Sequence, residues 1–265
     1  MSFSNQIVRT NYHTHMYLCR HASGTVEDYV LEAIKNNFDS LGMSDHAPWN
    51  ELIDRSVRMK MSDYPIYLRE LNKVCKKYSD KINIYKGLEI EYFNGKNDYY
   101  KNLLEELDYL VLGQHYIEIG SQLVSTYRIY TIKELTIYKD TIIKAIDSGY
   151  FKFIAHPDLF LFSQKELSEE VLGIAEEIIV AAKKKNVPLE INANGVRRGK
   201  IMVHGEERYR YPRLEFWQLV KKHNAPCIIS SDAHKPEYLY DEAVLETVEF
   251  ARHLSLTVEE ELSFD

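Results

Sequence analysis

Residues 24–48 read GTVEDYVLEAIKNNFDSLGMSDHAP. Thr25 with Asp28 three positions later has the form of a capping box, in which each residue satisfies an amide left free by the first helical turn. A helix is therefore expected to begin after Thr25. DSLGMSDH, at 39–46, follows as a short β-rich run that ends on a carboxylate and an imidazole, Asp45 and His46. A helix leading into a strand whose far end carries metal-capable side chains is the unit whose repetition decides the fold.

Outward from this unit the alternation continues in both directions. Further β-rich runs are IVRTNYH, INIYKGLEI, YLVLGQHY, FKFIAHP, VPLEINANG and PCIISSDAH, making seven in all, with helix-like segments between most of them. Ser168 precedes EEVLGIAEEIIVAAKKK, whose apolar residues recur at helical spacing and whose lysines sit where the helix dipole favours cations. Pro212 suits the first turn of RLEFWQLVKKH. Seven strands alternating with helices favour a parallel sheet. At 265 residues either one α/β barrel or two smaller domains would fit. No composition break or low-complexity tract marks a linker, so one domain over 1–265, closed into a barrel, is expected.

Bulk composition narrows the function classes. A formal charge of −7 argues against a dedicated nucleic-acid surface. Cys19, Cys75 and Cys227 form no CxxC pair, so neither a disulfide framework nor a cysteine zinc knuckle is expected, and a reducing compartment fits. MSFSNQIVRT lacks the apolar run of a signal peptide, and nothing approaches a membrane-spanning length of apolar residues. A cytoplasmic location without membrane association is expected.

The run ends carry the chemistry. They finish in His13-Thr14-His15, Asp45-His46, Glu89, His115, His156, Glu190-Ile191-Asn192 and Asp232-Ala233-His234. In (β/α) barrels the strand C-termini converge on one rim, where loops build the active site. His13 and His15 are two apart, as are Asp232 and His234, so each pair leaves one face of a strand.

A lone histidine is usually a satisfied structural residue, and His204, His223 and His253 are read that way. His223 sits at a helix end, where a cation helps cap carbonyls, and His253 lies in a polar helix. Seven histidines, the six at the run ends and His21 six residues past His15, are different, because packed together without metal they would either charge and repel or remain poorly paired. Divalent cations resolve that conflict, and Glu89 and Asp232 supply the hard oxygens to neutralise them.

Taken in order, HTH with a third histidine six positions later, SDH, GxE, GQH, AHP and SDAH resemble the polymerase and histidinol phosphatase (PHP) superfamily. The resemblance spans nearly the whole chain. HTHMYLCRHASGTVEDYV, SDHAP and EINANGVRRG are most similar to its stand-alone histidinol-phosphate phosphatases. It implies a distorted (β/α)7 barrel, in agreement with the seven runs, and two to three divalent ions, Mn, Fe or Zn. By resemblance, His13, His15, Glu89 and Asp232 would hold the first metal. Glu89 would bridge to a second, completed by His115 and His156, and His21, His46 and His234 would hold a third. The segment His204–Arg213 matches no family pattern.

The chemistry expected is hydrolysis of a small-molecule phosphate monoester, histidinol phosphate, in histidine biosynthesis. Cations bind phosphoryl oxygens and lower the pKa of water, so a hydroxide between the first two metals is the expected nucleophile. Glu89, Asp232 and His234 are the catalytic candidates, with Asp232 or a neighbouring histidine supplying the leaving group's proton. Arg197 and Arg198, past the sixth run, can grip phosphate in bidentate fashion or be solvated loop residues, and the family pattern favours Arg197. Tyr116 is expected to line the pocket, and Glu190 and Asn192 either orient ligand imidazoles or are polar residues of the barrel interior. The alternatives are a nucleotide or oligonucleotide phosphoesterase, a protein tyrosine phosphatase, and a non-catalytic metal-binding module.

Overall fold

Every one of the seven runs contains one strand of a single parallel sheet in the computed structural model, which describes residues 8–50, 52 and 56–264. Ile7, with which the first run opens, lies outside the described residues. The elements begin with β1 (Thr10–Asn11), α1 (Val26–Lys35), β2 (Ser40–Met43), α2 (Tyr64–Tyr78), β3 (Asn83–Ile90), α3 (Asn97–Leu104) and β4 (Tyr109–Leu112). A hairpin of β5 (Tyr116–Ile119) and β6 (Gln122–Ser125) precedes α4 (Ile132–Ser148), β7 (Phe151–Ile154), α5 (Glu169–Lys185) and β8 (Leu189–Asn192). Then come α6 (Ala193–Arg197), a second hairpin of β9 (Lys200–Val203) and β10 (Glu206–Tyr209), α7 (Leu214–His223), β11 (Cys227–Ser230) and α8 (Glu242–His253).

The strand order is β1-β2-β3-β4-β7-β8-β11, and every pairing is parallel. Just beyond β1 and β11, Thr14 bridges Ala233 in parallel. The His15 N–H donates to the Ala233 carbonyl at 2.9 Å and the Ala233 N–H to the His13 carbonyl at 3.3 Å. These bonds close the sheet into a distorted (β/α)7 barrel. The distortion lies in a two-residue β1, a single register pair between β7 and β8, and a shift between Leu110 and Val111 in the β4–β7 pairing.

The four residues of β2, β4 and β8 are buried throughout, as expected for strands covered on both faces. Alternation along β4 sends Leu110 and Leu112 to the helix layer and Tyr109 and Val111 to the interior. The interior is aromatic: Tyr12, Tyr109 and Phe153 pack there with Leu262 from the C-terminal tail. Tyr109 donates its hydroxyl to the Tyr12 carbonyl at 2.8 Å. A Cβ at position 87 would fall 2.4 Å from the Tyr109 ring, so Gly87 makes the room this plug needs. Each large apolar side chain so buried contributes about 1.5–3 kcal/mol. The barrel is thus solid toward the strand starts, and the metal-capable side chains are confined to the opposite rim.

The helix starts follow local chemistry. Thr25 and Asp28 form the expected reciprocal cap of α1, and the Ser168 side chain accepts from the Val171 amide at α5. Pro212 departs from expectation. It lies outside α7, because Arg213 is the extended N-cap residue, with its amide donated to Asp158 Oδ2 at 2.5 Å. The unassigned segment His204–Arg213 comprises the β9–β10 turn, β10 and the approach to α7.

Candidate active site

All nine expected ligands fall into overlapping groups whose donor atoms lie within 4.8 Å of one another. One group is His13, His15 and Asp232; a second is His15, His46 and Glu89. Glu89 recurs with His115 and His156, and His46 recurs with His21 and His234. His204, His223 and His253 belong to none of these groups, and His204 and His253 are exposed. His223, the last residue of α7, has Nε2 2.5 Å from Glu176 Oε1.

Strand ends and the turns after them set this geometry. His13 and His15 flank the bridge residue Thr14 and bring their Nε2 atoms to 3.1 Å, and Asp232 and His234 likewise flank Ala233. His156 and Asp232 have φ values of +32° and +49°, conformations that cost a non-glycine residue on the order of 1–3 kcal/mol. Glu89, near the end of β3, extends over Gly113, where an added Cβ would sit 2.1 Å from Glu89 Oε1.

A second layer of buried groups orients the imidazoles. His13 Nδ1 lies 2.7 Å from Glu190 Oε1, and Glu190 Oε2 accepts from the His156 amide at 2.9 Å and from Asn192 at 2.7 Å. His21 Nδ1 and His234 Nδ1 each face a main-chain carbonyl at 3.0 Å, those of Cys19 and Asp232. Each contact fixes one ring nitrogen and turns the other toward the cluster. Asn192 and Asn194 also donate to Asp232 Oδ2, at 3.2 and 3.1 Å. Of the two groups considered from sequence, Glu190 meets the His13 imidazole, and Asn192 meets Glu190 and Asp232 instead.

The electrostatics show what a cation would relieve. Burial raises the Glu89 and Asp232 carboxyls, but the surrounding imidazoles outweigh it and hold both well below the usual carboxylate range. Burial likewise opposes charge on His15, yet Asp232 and Asp45 bring its pKa up to about 9. His234 is pushed down to about 3 by burial and by His15. His46 and His21 are lowered chiefly by burial, so the His21, His46 and His234 group offers neutral imidazoles. Glu89 Oε2, Asp232 Oδ1 and His156 Nδ1 are buried and have no hydrogen-bond partner of good geometry among the described residues, although His46 Nδ1 lies 2.9 Å from Glu89 Oε2 and His15 Nε2 3.0 Å from Asp232 Oδ1. His21 and His234 point Nε2 at Nε2 across 2.8 Å, a contact in which at most one nitrogen can donate. Carboxylate and imidazole lone pairs aimed into shared space are a donor set that fits divalent transition metals.

Above the cluster opens a cavity of about 510 Å³, within the range of small-molecule sites. Tyr116 lines it, with Tyr127 and Arg198. The placement of the two arginines reverses the sequence preference. Arg197 is bound into the scaffold: Nε meets Asp241 Oδ2 at 2.6 Å, Nη1 the Ser231 carbonyl at 2.6 Å and Nη2 the Tyr238 carbonyl at 2.6 Å. Arg198 instead faces the cavity, its guanidinium 5.6 Å from the Tyr127 ring centre and 6.0 Å from that of Tyr211 and without a hydrogen bond or ion pair to any described residue.

Sequence reasoning did not assign Asp45, Arg58, Glu91, Asn194, Tyr127 or Tyr211. Glu91 carried a signal, since it stands two residues after Glu89 in GLEIEY. Arg58 carried none, as it comes from the connection between β2 and α2.

Known proteins share this architecture. A PHP domain matches residues 11–194. A Deinococcus radiodurans protein named "Probable histidinol-phosphatase" is 25% identical, over 84% of this chain and 85% of its own. The histidinol-phosphatase of Bacillus subtilis is 26% identical, over 84% and 92%. The structure of histidinol phosphate phosphatase from Lactococcus lactis, complexed with zinc, L-histidinol and phosphate, superposes with a TM-score of 0.70 at 18% identity, covering 97% of each chain. That likeness supports the barrel, and the family match spans more than half of the sequence. The chain belongs to the PHP domain family.

Proposed function

We propose that this chain is a metal-dependent phosphomonoesterase that hydrolyses histidinol phosphate to histidinol and phosphate, within one domain, in cytoplasmic histidine biosynthesis. The observation that carries this reading is the Arg198 guanidinium, without an ion pair among the described residues, sharing one small-molecule-sized cavity with seven of the nine metal-capable side chains. The relatives named for histidinol phosphate, and the zinc, histidinol and phosphate in the Lactococcus protein, favour that substrate. Three unpaired cysteines suit a reducing compartment. Among the described residues no helix is long and apolar enough to cross a membrane.

Two to three divalent ions, with Zn, Mn or Fe all compatible, are proposed for the residues in the overlapping groups. Such ions would neutralise phosphoryl charge and activate water for attack on phosphorus. Glu89, with an oxygen in each of two groups, is suited to bridge. Asn192 and Asn194 hold Asp232 Oδ2 and leave Oδ1 directed into the cluster. Arg198 supplies a fixed positive charge for the phosphoryl oxygens. Tyr116 and Tyr127 give the cavity aromatic faces for the cationic end of the substrate. Asp232 and His234 are the candidates for handling the proton of the departing alcohol.

Steady-state assays of the metal-loaded protein on histidinol phosphate, a phosphotyrosine peptide, a nucleoside monophosphate and a dinucleotide test the reading. The highest kcat/KM is expected for histidinol phosphate. Preference for the peptide or a nucleotide would assign a different phosphoesterase activity, and no turnover of any of them by folded, metal-loaded protein would favour a binding role.

A further inference from the structure

The ring of His115 is attached to a buried charge system that the chemistry above leaves unused. Glu91 lies one turn of the β3 alternation beyond Glu89, and its carboxylate is bidentate with Arg58: Nη2 to Oε1 at 2.7 Å and Nη1 to Oε2 at 3.2 Å. Trp49 Nε1 donates to Oε2 at 3.0 Å, and Arg58 Nη1 also reaches the Ala47 carbonyl at 3.1 Å. Arg58 and Glu91 are both buried, at 3% and 1% exposure. Beyond this pair, Glu91 Oε1 is 3.2 Å from His115 Nδ1, and His115 Nε2 is 3.3 Å from Glu89 Oε1.

Stability alone is a poor account of the arrangement. A buried ion pair commonly contributes no more than apolar residues of the same volume, because desolvation offsets the attraction. What the pair does geometrically is specific. A carboxylate gripped from two sides by Arg58 and Trp49 cannot rotate, so it presents Oε1 to His115 in one direction. His115 then donates from Nδ1, and its Nε2 lone pair is aimed at the Glu89 and His156 group.

We propose that Glu91, clamped by Arg58 and Trp49, is the positioning residue that sets the ring orientation and tautomer of His115 toward a divalent cation. The proposal rests on the metallophosphatase reading. It assigns two residues of the connection between β2 and α2, Trp49 and Arg58, and one just past the end of β3, Glu91, to the support of a candidate ligand that follows β4.

Calorimetric titration of the chelator-stripped full chain with Zn²⁺, backed by elemental analysis, tests it without relying on turnover. The double variant Arg58→Met/Glu91→Gln removes both charges and leaves neither buried alone. Its affinity for one Zn²⁺ per chain is expected to fall about 10- to 100-fold, with the other sites unchanged. Trp49→Phe removes one donor and no charge, and is expected to weaken the same site by about 2- to 10-fold. In turnover, kcat should fall more than KM changes. If the double variant does not fold, Trp49→Phe decides alone. Folded variants that kept wild-type affinity at every site would overturn the proposal while leaving the metal reading intact. A wild-type chain that bound no divalent ion would overturn both.

Discussion

His13 Nδ1 and Glu190 Oε1 lie 2.7 Å apart with both side chains wholly buried. The contact leaves His13 Nε2 as the free nitrogen, directed at His15 Nε2, Glu89 and Asp232. Glu190 also receives the His156 amide and Asn192, so its two oxygens serve three donors. Glutamine offers one oxygen in place of two, and one of those donors must then face an amide NH₂. Glu190→Gln is expected to cost about 1–3 kcal/mol of stability and to lower kcat about 10- to 100-fold. Denaturant unfolding and steady-state kinetics read the two effects, and a variant matching wild type in both would show that Glu190 orients nothing.

Arg197 and Arg198 should separate by phenotype. Arg198→Ala is expected to lower kcat/KM for histidinol phosphate about 10- to 1000-fold with little change in unfolding midpoint. Arg197→Ala breaks contacts to Asp241, Ser231 and Tyr238 and should destabilise by roughly 1.5–3 kcal/mol. Equal losses of kcat/KM, at equal stability, would remove Arg198 from the phosphate site.

Gly113 tests the seat of Glu89. A Cβ there would meet Oε1 at 2.1 Å and Cδ at 2.5 Å, so the carboxylate of Gly113→Ala must move. Displacement on the ångström scale commonly costs about 100-fold in rate, and metal content should fall with it. Gly173→Ala, in α5 with nothing within 4 Å of the added Cβ, is the control and should gain up to about 1 kcal/mol. Wild-type turnover and metal content in Gly113→Ala would mean that Glu89 has another working position.

Metal removal should loosen the rim. Ions that bind only the folded chain stabilise it by about 2.7 kcal/mol at a hundredfold excess over Kd. Stripping with a chelator is therefore expected to lower Tm and abolish turnover, and added Zn²⁺ or Mn²⁺ should restore both. Unchanged Tm and turnover after verified stripping would exclude a metal role in this site.

The barrel was readable because its signal is local and repeated. Burial on both faces makes each strand a short apolar run, and capping pairs such as Thr25–Asp28 mark helix starts from neighbouring residues alone. Pro212 misled because an N-terminal proline is only a tendency. The start of α7 is set instead by the Arg213 amide meeting Asp158, 55 positions away in sequence.

The sequence by itself determined which side chains reach the rim, since strand alternation and the strand C-termini place His13, Glu89, Asp232 and five more of the metal-capable groups without reference to distant contacts, and only His21, in the loop beyond β1, needed the family resemblance. Tertiary structure alone decided how neighbours in sequence divide their roles. Arg197 ends the short helix α6 and Arg198 is its C-cap, and successive helical residues point about 100° apart. One guanidinium therefore turns to Asp241 and the loop after β11, and the other to the cavity. The same holds for Glu91, whose partners Arg58 and Trp49 come from the connection between β2 and α2. Periodicity within one strand fixes the face a side chain leaves from, but a partner across the fold is chosen only when the chain closes on itself.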